Sequence, residues 1–225
     1  MSERTSTGTS ELDSLLEGGF LRDTMILIAG SPGAGKTLLS ARFIYEGAVK
    51  HGEAGVYACF AETKGRFIQD MKKFGMDFET LTSKGTVAVL DLSVATETDV
   101  QSVLNQIFEA ITSLRARRLV VDSITAMSTG LKREFEKRHL IRLLYRLIHK
   151  SGCTTIVVAD LPWGSRRIGE SIEEFVADAI ILMENSYDAD GVLRRDLKIL
   201  KMRGTDHSKK AHRYTINEKG VEIQV

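Results

Sequence analysis

Cysteine, proline and tryptophan are scarce in this chain: two, two and one among 225 residues. Cys59 and Cys153 form no Cys-x-x-Cys pair and have no histidine at metal-ligand spacing. A disulfide framework or thiolate metal site is therefore not expected, and both read as buried thiols inside apolar runs. With proline only at 32 and 162, no proline-rich linker divides the chain. Neither charge dominates, since 31 Lys+Arg face 30 Asp+Glu for a net +1. Bulk attraction to nucleic acid or an anionic membrane is thereby excluded, and such a partner has to be argued from a local patch. No apolar run reaches the roughly 18 residues that a membrane span needs. The opening Met1-Ser2-Glu3-Arg4-Thr5-Ser6 lacks the apolar stretch of a secretory signal. The expectation is a cytoplasmic protein with no membrane partner.

Hydrophobic residues make up 43% of the chain, enough to bury a full sheet. Short apolar runs recur at 25–29, 56–60, 87–90, 119–121, 155–158 and 179–182. They are apolar at successive positions rather than alternating, which is the pattern of strands buried on both faces of a parallel sheet. Helical spacing separates them over 36–50, 64–74, 98–115 and 133–151; the last puts Leu140, Leu143, Leu144 and Leu147 on one face. After Leu182 the pattern turns to alternation over 195–202, 212–217 and 222–225. We read one α/β domain over 1–225, with residues 1–6 flexible. Its mostly parallel sheet is flanked by helices and carries an antiparallel C-terminal edge.

The first strand runs straight into Gly30-Ser31-Pro32-Gly33-Ala34-Gly35-Lys36-Thr37-Leu38 and then a helix. This strand–GxxxxGK[ST]–helix context is that of a phosphate-binding loop. Glycines let backbone N–H groups turn inward onto phosphate oxygens, and the helix N-terminus adds roughly half a positive charge behind them. In that role Lys36 reaches the β/γ-phosphates and Thr37 ligates Mg²⁺. Leu119-Val120-Val121-Asp122 supplies the acidic partner such a loop needs, a buried strand ending in a carboxylate, so Asp122 is the second expected metal residue.

Further motifs accompany this loop: Thr7-Gly8 with Leu12-Asp13 and Gly18-Gly19 before the first strand, Asp122-Ser123-Ile124-Thr125-Ala126, and the tail Leu200-Lys201-Met202-Arg203-Gly204-Thr205-Asp206-His207. Together they resemble a single KaiC domain of the RecA/RadA superfamily, from about residue 5 to the C-terminus. Single-domain relatives are common in archaea and bacteria, which fits an archaeal source. The resemblance implies a RecA-like P-loop NTPase core, ATP and Mg²⁺ as cofactors, and a homo-oligomeric ring, a hexamer, with nucleotide sites between subunits. It also implies that Lys201 and Arg203 reach the γ-phosphate held by the next subunit, with Thr205 and His207 near the same nucleotide. Two cations at alternate positions of a strand project to one side, as that role requires.

Two departures temper the resemblance. Where the KaiC pattern reads Phe-Glu-Glu at the end of the second strand, this chain reads Phe60-Ala61-Glu62. The usual first catalytic carboxylate is thus missing, and Glu62 is left as the candidate base of a slow ATPase. The phosphoacceptor pair of the clock protein corresponds to Glu174 and Phe175, which accept no phosphate, so autokinase activity is not implied. Asp160, closing the 155–158 strand, falls where the family places a sensor residue.

Three functions stay open at this point: a ring ATPase, an ATP-gated scaffold or regulator with little hydrolysis, and a recombination accessory that binds single-stranded DNA. For the last, Arg138, Arg142, Arg146 and Lys150 form a stripe at four-residue spacing, with Arg115, Arg117, Arg118, Lys209, Lys210 and Arg213 as further cations. Tyr145 and Trp163 are the aromatics near these positions in sequence, and Trp163-Gly164-Ser165-Arg166-Arg167 resembles a mobile loop facing the ring's centre, open between an ordinary exposed connection and a substrate-contacting loop.

Overall fold

In a computed structural model of the chain, residues 3–93, 100–129, 131, 133–164 and 176–225 are described. The apolar runs become strands β3 (Met25–Gly30), β4 (Gly55–Cys59), β5 (Val87–Asp91), β6 (Arg118–Asp122), β7 (Thr154–Asp160) and β8 (Ala179–Tyr187). The alternating tail becomes β9 (Leu193–Met202), β10 (Ala211–Asn217) and β11 (Gly220–Ile223). Their order in one sheet is β11-β10-β9-β8-β3-β7-β6-β4-β5. Pairing is parallel from β5 through β8 and antiparallel from β8 to β11. This is the mostly parallel sheet with an antiparallel C-terminal edge that the sequence pattern implied.

Helices α2 (Lys36–His51), α3 (Lys64–Lys72), α5 (Val100–Leu114) and α7 (Glu134–Ser151) occupy the helical stretches. Because successive strand residues face opposite sides, the sheet splits the core in two. Ile26, Ile28, Tyr57, Val120 and Ile156 pack with Phe43 of α2 and Phe67 of α3. Leu27, Ala29, Val56, Val121 and Val157 pack with Ile107 of α5 and Leu140 and Leu144 of α7. Leu143 and Leu147 are half-buried on that α7 face.

The short elements escape sequence periodicity. Helices α1 (Ser10–Ser14), α4 (Phe78–Ser83) and α6 (Ile124–Met127) are too brief to show a 3.6-residue pattern. Within residues 1–6, expected to be flexible, β1 (Arg4–Thr5) pairs antiparallel with β2 (Phe20–Leu21), and the Thr5 side chain is buried. β11 begins at Gly220 rather than 222, because Asn217 pairs directly with Gly220 across a tight turn in which the Asn217 side chain accepts from the Lys219 N–H.

Arg118 also departs from expectation. It is 1% exposed, so it offers nothing to a nucleic acid. Its Nε pairs with Glu53 at 2.7 Å, its Nη1 donates to the Ser6 and Phe43 carbonyls, and its guanidinium lies 4.6 Å over the Phe43 ring. The slot exists because residue 47 is glycine, where a Cβ would meet Arg118 Nε at 2.3 Å. Arg118→Ala empties that slot and leaves Glu53 with Arg22, 3.1 Å away, as its remaining ion-pair partner, so it is expected to cost about 3 kcal/mol. Denaturant unfolding measures this as a lower midpoint.

Candidate functional site

The carboxyl ends of β3, β6 and β7 meet where the glycine-rich loop leaves the sheet. Gly30 has to be glycine there, since a Cβ would sit 2.2 Å from the Met183 carbonyl of neighbouring β8. Gly35, at φ +88°, is the left-handed N-cap of α2 and has no side chain to cap the first-turn N–H groups, which therefore face the loop. The loop is pinned from the antiparallel edge: Tyr214 donates to the Ala34 carbonyl at 2.6 Å and Asn185 to the Pro32 carbonyl at 3.1 Å.

Lys36 is 6% exposed. Its Nζ donates to the Gly30 and Ser31 carbonyls at 2.8 and 3.0 Å and pairs with Asp160 Oδ1 at 3.0 Å. Thr37 Oγ1 donates to Asp122 Oδ2 at 2.7 Å, and the Tyr57 hydroxyl donates to the same oxygen, also at 2.7 Å. Burial raises the Asp122 pKa, while these two hydrogen bonds act against that rise by favouring the carboxylate. Burial and the neighbouring Asp122 hold the Tyr57 hydroxyl well above its ordinary range, so it stays a donor. Ser123 Oγ donates to Asp160 Oδ2 at 2.7 Å, and Thr125 Oγ1 accepts from the Asp160 N–H. The site thus comprises a buried ammonium, a hydroxyl beside a buried carboxylate, and a helix N-terminus without a side-chain cap. That donor set fits a polyphosphate with a divalent cation.

Glu62 follows β4, whose last residue Cys59 pairs with Asp122. It is half-buried, while Ala61 beside it is exposed. The Glu62 pKa is raised, first by burial and then by the charges of Asp122 and Asp70.

Lys201 and Arg203 are elsewhere. The registers Ile26↔Ala179 and Ala179↔Met202 put the end of β9 level with the start of β3, whereas the loop leaves at Gly30. Four residues of strand, roughly 13 Å, separate them. There Lys201 Nζ donates to the Ala177 carbonyl at 2.6 Å, and Arg203 pairs with Asp178 at 3.2 Å. Burial lowers the Lys201 pKa, with Arg203 adding to the effect. Thr205 accepts from Arg4, and the His207 ring lies 2.9 Å from the Ser208 carbonyl, at that same end.

The α7 stripe is exposed: Arg138, Arg142, Arg146 and Lys150 all face solvent, with no ion pair among the described residues, and Lys150 lies 5.4 Å over the Phe108 ring. Tyr145 packs edge-on against His149. Ser165, Arg166, Arg167, Glu174 and Phe175 lie outside the described residues. Sequence reasoning missed Tyr57, and it named Ser123 and Thr125 within a motif without giving either a role. Tyr57 reads as one more apolar strand residue, and only its period-two alignment with the core face would have placed it beside the end of β6.

The family described as "ATPase: KaiC" matches residues 5–225. The chain belongs to the KaiC ATPase family. A UPF0273 protein of Pyrococcus horikoshii is 33% identical, covering 99% of this chain and 94% of the relative. The circadian clock oscillator protein KaiC of Synechococcus elongatus is 33% identical over 94% of this chain, which matches 42% of the clock protein's length. The crystal structure of a KaiC-like protein from Pyrococcus horikoshii superposes with TM-score 0.92 at 32% identity, covering all of both chains. Membership in this family supports nucleotide binding and ATPase activity in general. Among the described residues no helix is long and apolar enough to cross a membrane.

Tyr57→Phe removes one of the two donors that orient the Asp122 carboxylate without changing the ring that packs on Phe67. On the Mg·ATP reading proposed below, it is expected to raise the Mg²⁺ concentration for half-maximal turnover about tenfold, read by metal titration at fixed ATP.

Proposed function

We propose that this protein is a Mg²⁺-dependent ATPase of low turnover that works as a homohexameric ring with its nucleotides between subunits. Residues 30–38 hold the phosphates, Thr37 and Asp122 hold the metal, and Glu62 activates water. Lys201, Arg203, Thr205 and His207 act on the nucleotide of the adjacent subunit. When bound, Mg·ATP supplies the transferable phosphoryl group and a metal charge that screens it. Lys36 exchanges its loop carbonyls and Asp160 for phosphate oxygens, and Asp160 keeps its hold on Ser123. This release is how Asp160 senses the nucleotide.

The observation that carries the reading is the separation along the sheet between the phosphate loop and the Lys201–Arg203 pair. Each protomer then holds half of two different sites. Mixing two inactive variants tests this. Lys36→Ala and Arg203→Ala are each expected to be inactive alone, whereas a mixture regains turnover at interfaces that pair an intact loop with an intact Arg203. A mixture as inactive as its components, under conditions where both assemble, contradicts the shared site.

The exposed α7 stripe favours a second reading, contact with single-stranded DNA by Arg138, Arg142, Arg146 and Lys150. Four phosphate contacts give a log–log salt slope of about −3. A salt-independent interaction, or none, removes it and leaves the stripe as a solvated face. ATP binding without turnover would favour instead the nucleotide-gated scaffold.

A further inference from the structure

A cavity of about 340 Å³ opens beside the phosphate loop, between the segment after β7 and the upper halves of β8 and β9. Its polar lining holds unpartnered atoms. Ser31 is 8% exposed, and its Oγ has no hydrogen-bond partner among the described residues; the buried Asn185 Oδ1 is likewise unpartnered among them, its amide nitrogen being committed to Pro32. Buried polar atoms in folded proteins are ordinarily satisfied, so two orphans in one wall mark missing partners: a donor at the Asn185 oxygen, and a donor or an acceptor at the Ser31 hydroxyl. Among the described residues Glu184 and Asp196 add two carboxylates, paired with Lys198 and Arg213 respectively. Arg213 engages only Oδ1 of Asp196, at 3.4 Å, so Oδ2 is left for a further donor. At the mouth stands Trp163, 53% exposed, with the Tyr187 ring 6.1 Å away.

An aromatic face over a group of acceptors and carboxylates suits a planar cation that stacks on the ring and donates several hydrogen bonds at once. We propose that this cavity binds a guanidinium group, carried by a free amine metabolite or by an arginine side chain of a protein. The site does not depend on the ATPase reading, although Gly30 and Ser31 form part of its wall.

Trp163 is the sole tryptophan of the chain, so intrinsic fluorescence reports directly on the cavity mouth. Titration with agmatine is expected to give a saturable change with a Kd of about 1 mM. N-butylurea, a neutral analogue of similar shape, and sodium chloride at matched ionic strength should give none. Asp196→Asn, which retains Trp163, is expected to weaken agmatine at least about tenfold. N-acetyl-arginine amide in a parallel titration separates the sources: binding stronger than agmatine points to a protein side chain, and weaker binding to a free amine. No saturable change with either cation, an equal response to N-butylurea, or unaltered binding in Asp196→Asn overturns the proposal. None of these readouts uses nucleotide, so failure here is distinct from failure of the ATPase reading.

Discussion

Arg203→Ala is expected to lower ATP turnover by about 10³–10⁵-fold, the range for an arginine that stabilises the transferring phosphoryl from outside its own subunit. Nucleotide affinity of the dilute protein should barely move, because Arg203 stands roughly 13 Å of strand from its own loop. Stability should change little as well: the side chain is more than half exposed, and its one ion pair among the described residues, with Asp178, is of the partly solvated kind that contributes about 0–1 kcal/mol. Turnover measured alongside equilibrium ATP binding and thermal unfolding separates these effects. A variant that loses affinity and turnover together in the monomeric state would put Arg203 in its own protomer's site, against the shared-site account.

Glu62→Gln should lower turnover by about 10²–10⁴-fold, the usual contribution of a positioned general base. Its pH signature is more diagnostic than its size. Burial and the nearby Asp122 raise the Glu62 pKa above its ordinary 4.5. A base works ionised, so turnover falls as pH drops through that raised value, and the acid limb lies above the position of an unperturbed glutamate. In Glu62→Gln that limb should vanish from the residual rate, except for the part owed to Asp122, whose pKa burial also raises. A pH profile unchanged in shape, with turnover intact, would mean that no general base acts from residue 62.

The positions of strands β3 to β11 and of the four long helices were legible because each carries its pattern in consecutive residues, whereas the order of the strands in the sheet was not. The glycine-rich loop was legible as a contiguous motif, and Thr37 within it shares a hydrogen bond with Asp122, the residue the sequence paired with it. The roles of Tyr57, Ser123 and Thr125 were not, since their importance comes from β4, β6 and β7 ending side by side, a long-range fact that no local window contains. Arg118 was misread for a related reason. A cation among cations suggests a surface patch, and only Glu53, Gly47 and the Phe43 ring, brought together by the fold, make a burial slot for it. The short β1–β2 ribbon was equally hidden, its two-residue strands being held by partners rather than by propensity.

The most direct measurement of the central claim is Mg·ATP turnover per protomer as a function of protein concentration, with Lys36→Ala as the blank. Sites completed by a neighbour's Lys201 and Arg203 predict specific activity that climbs steeply as protomers assemble and then levels off. Specific activity above the blank that stays constant down to concentrations where the protein is monomeric would contradict the shared site.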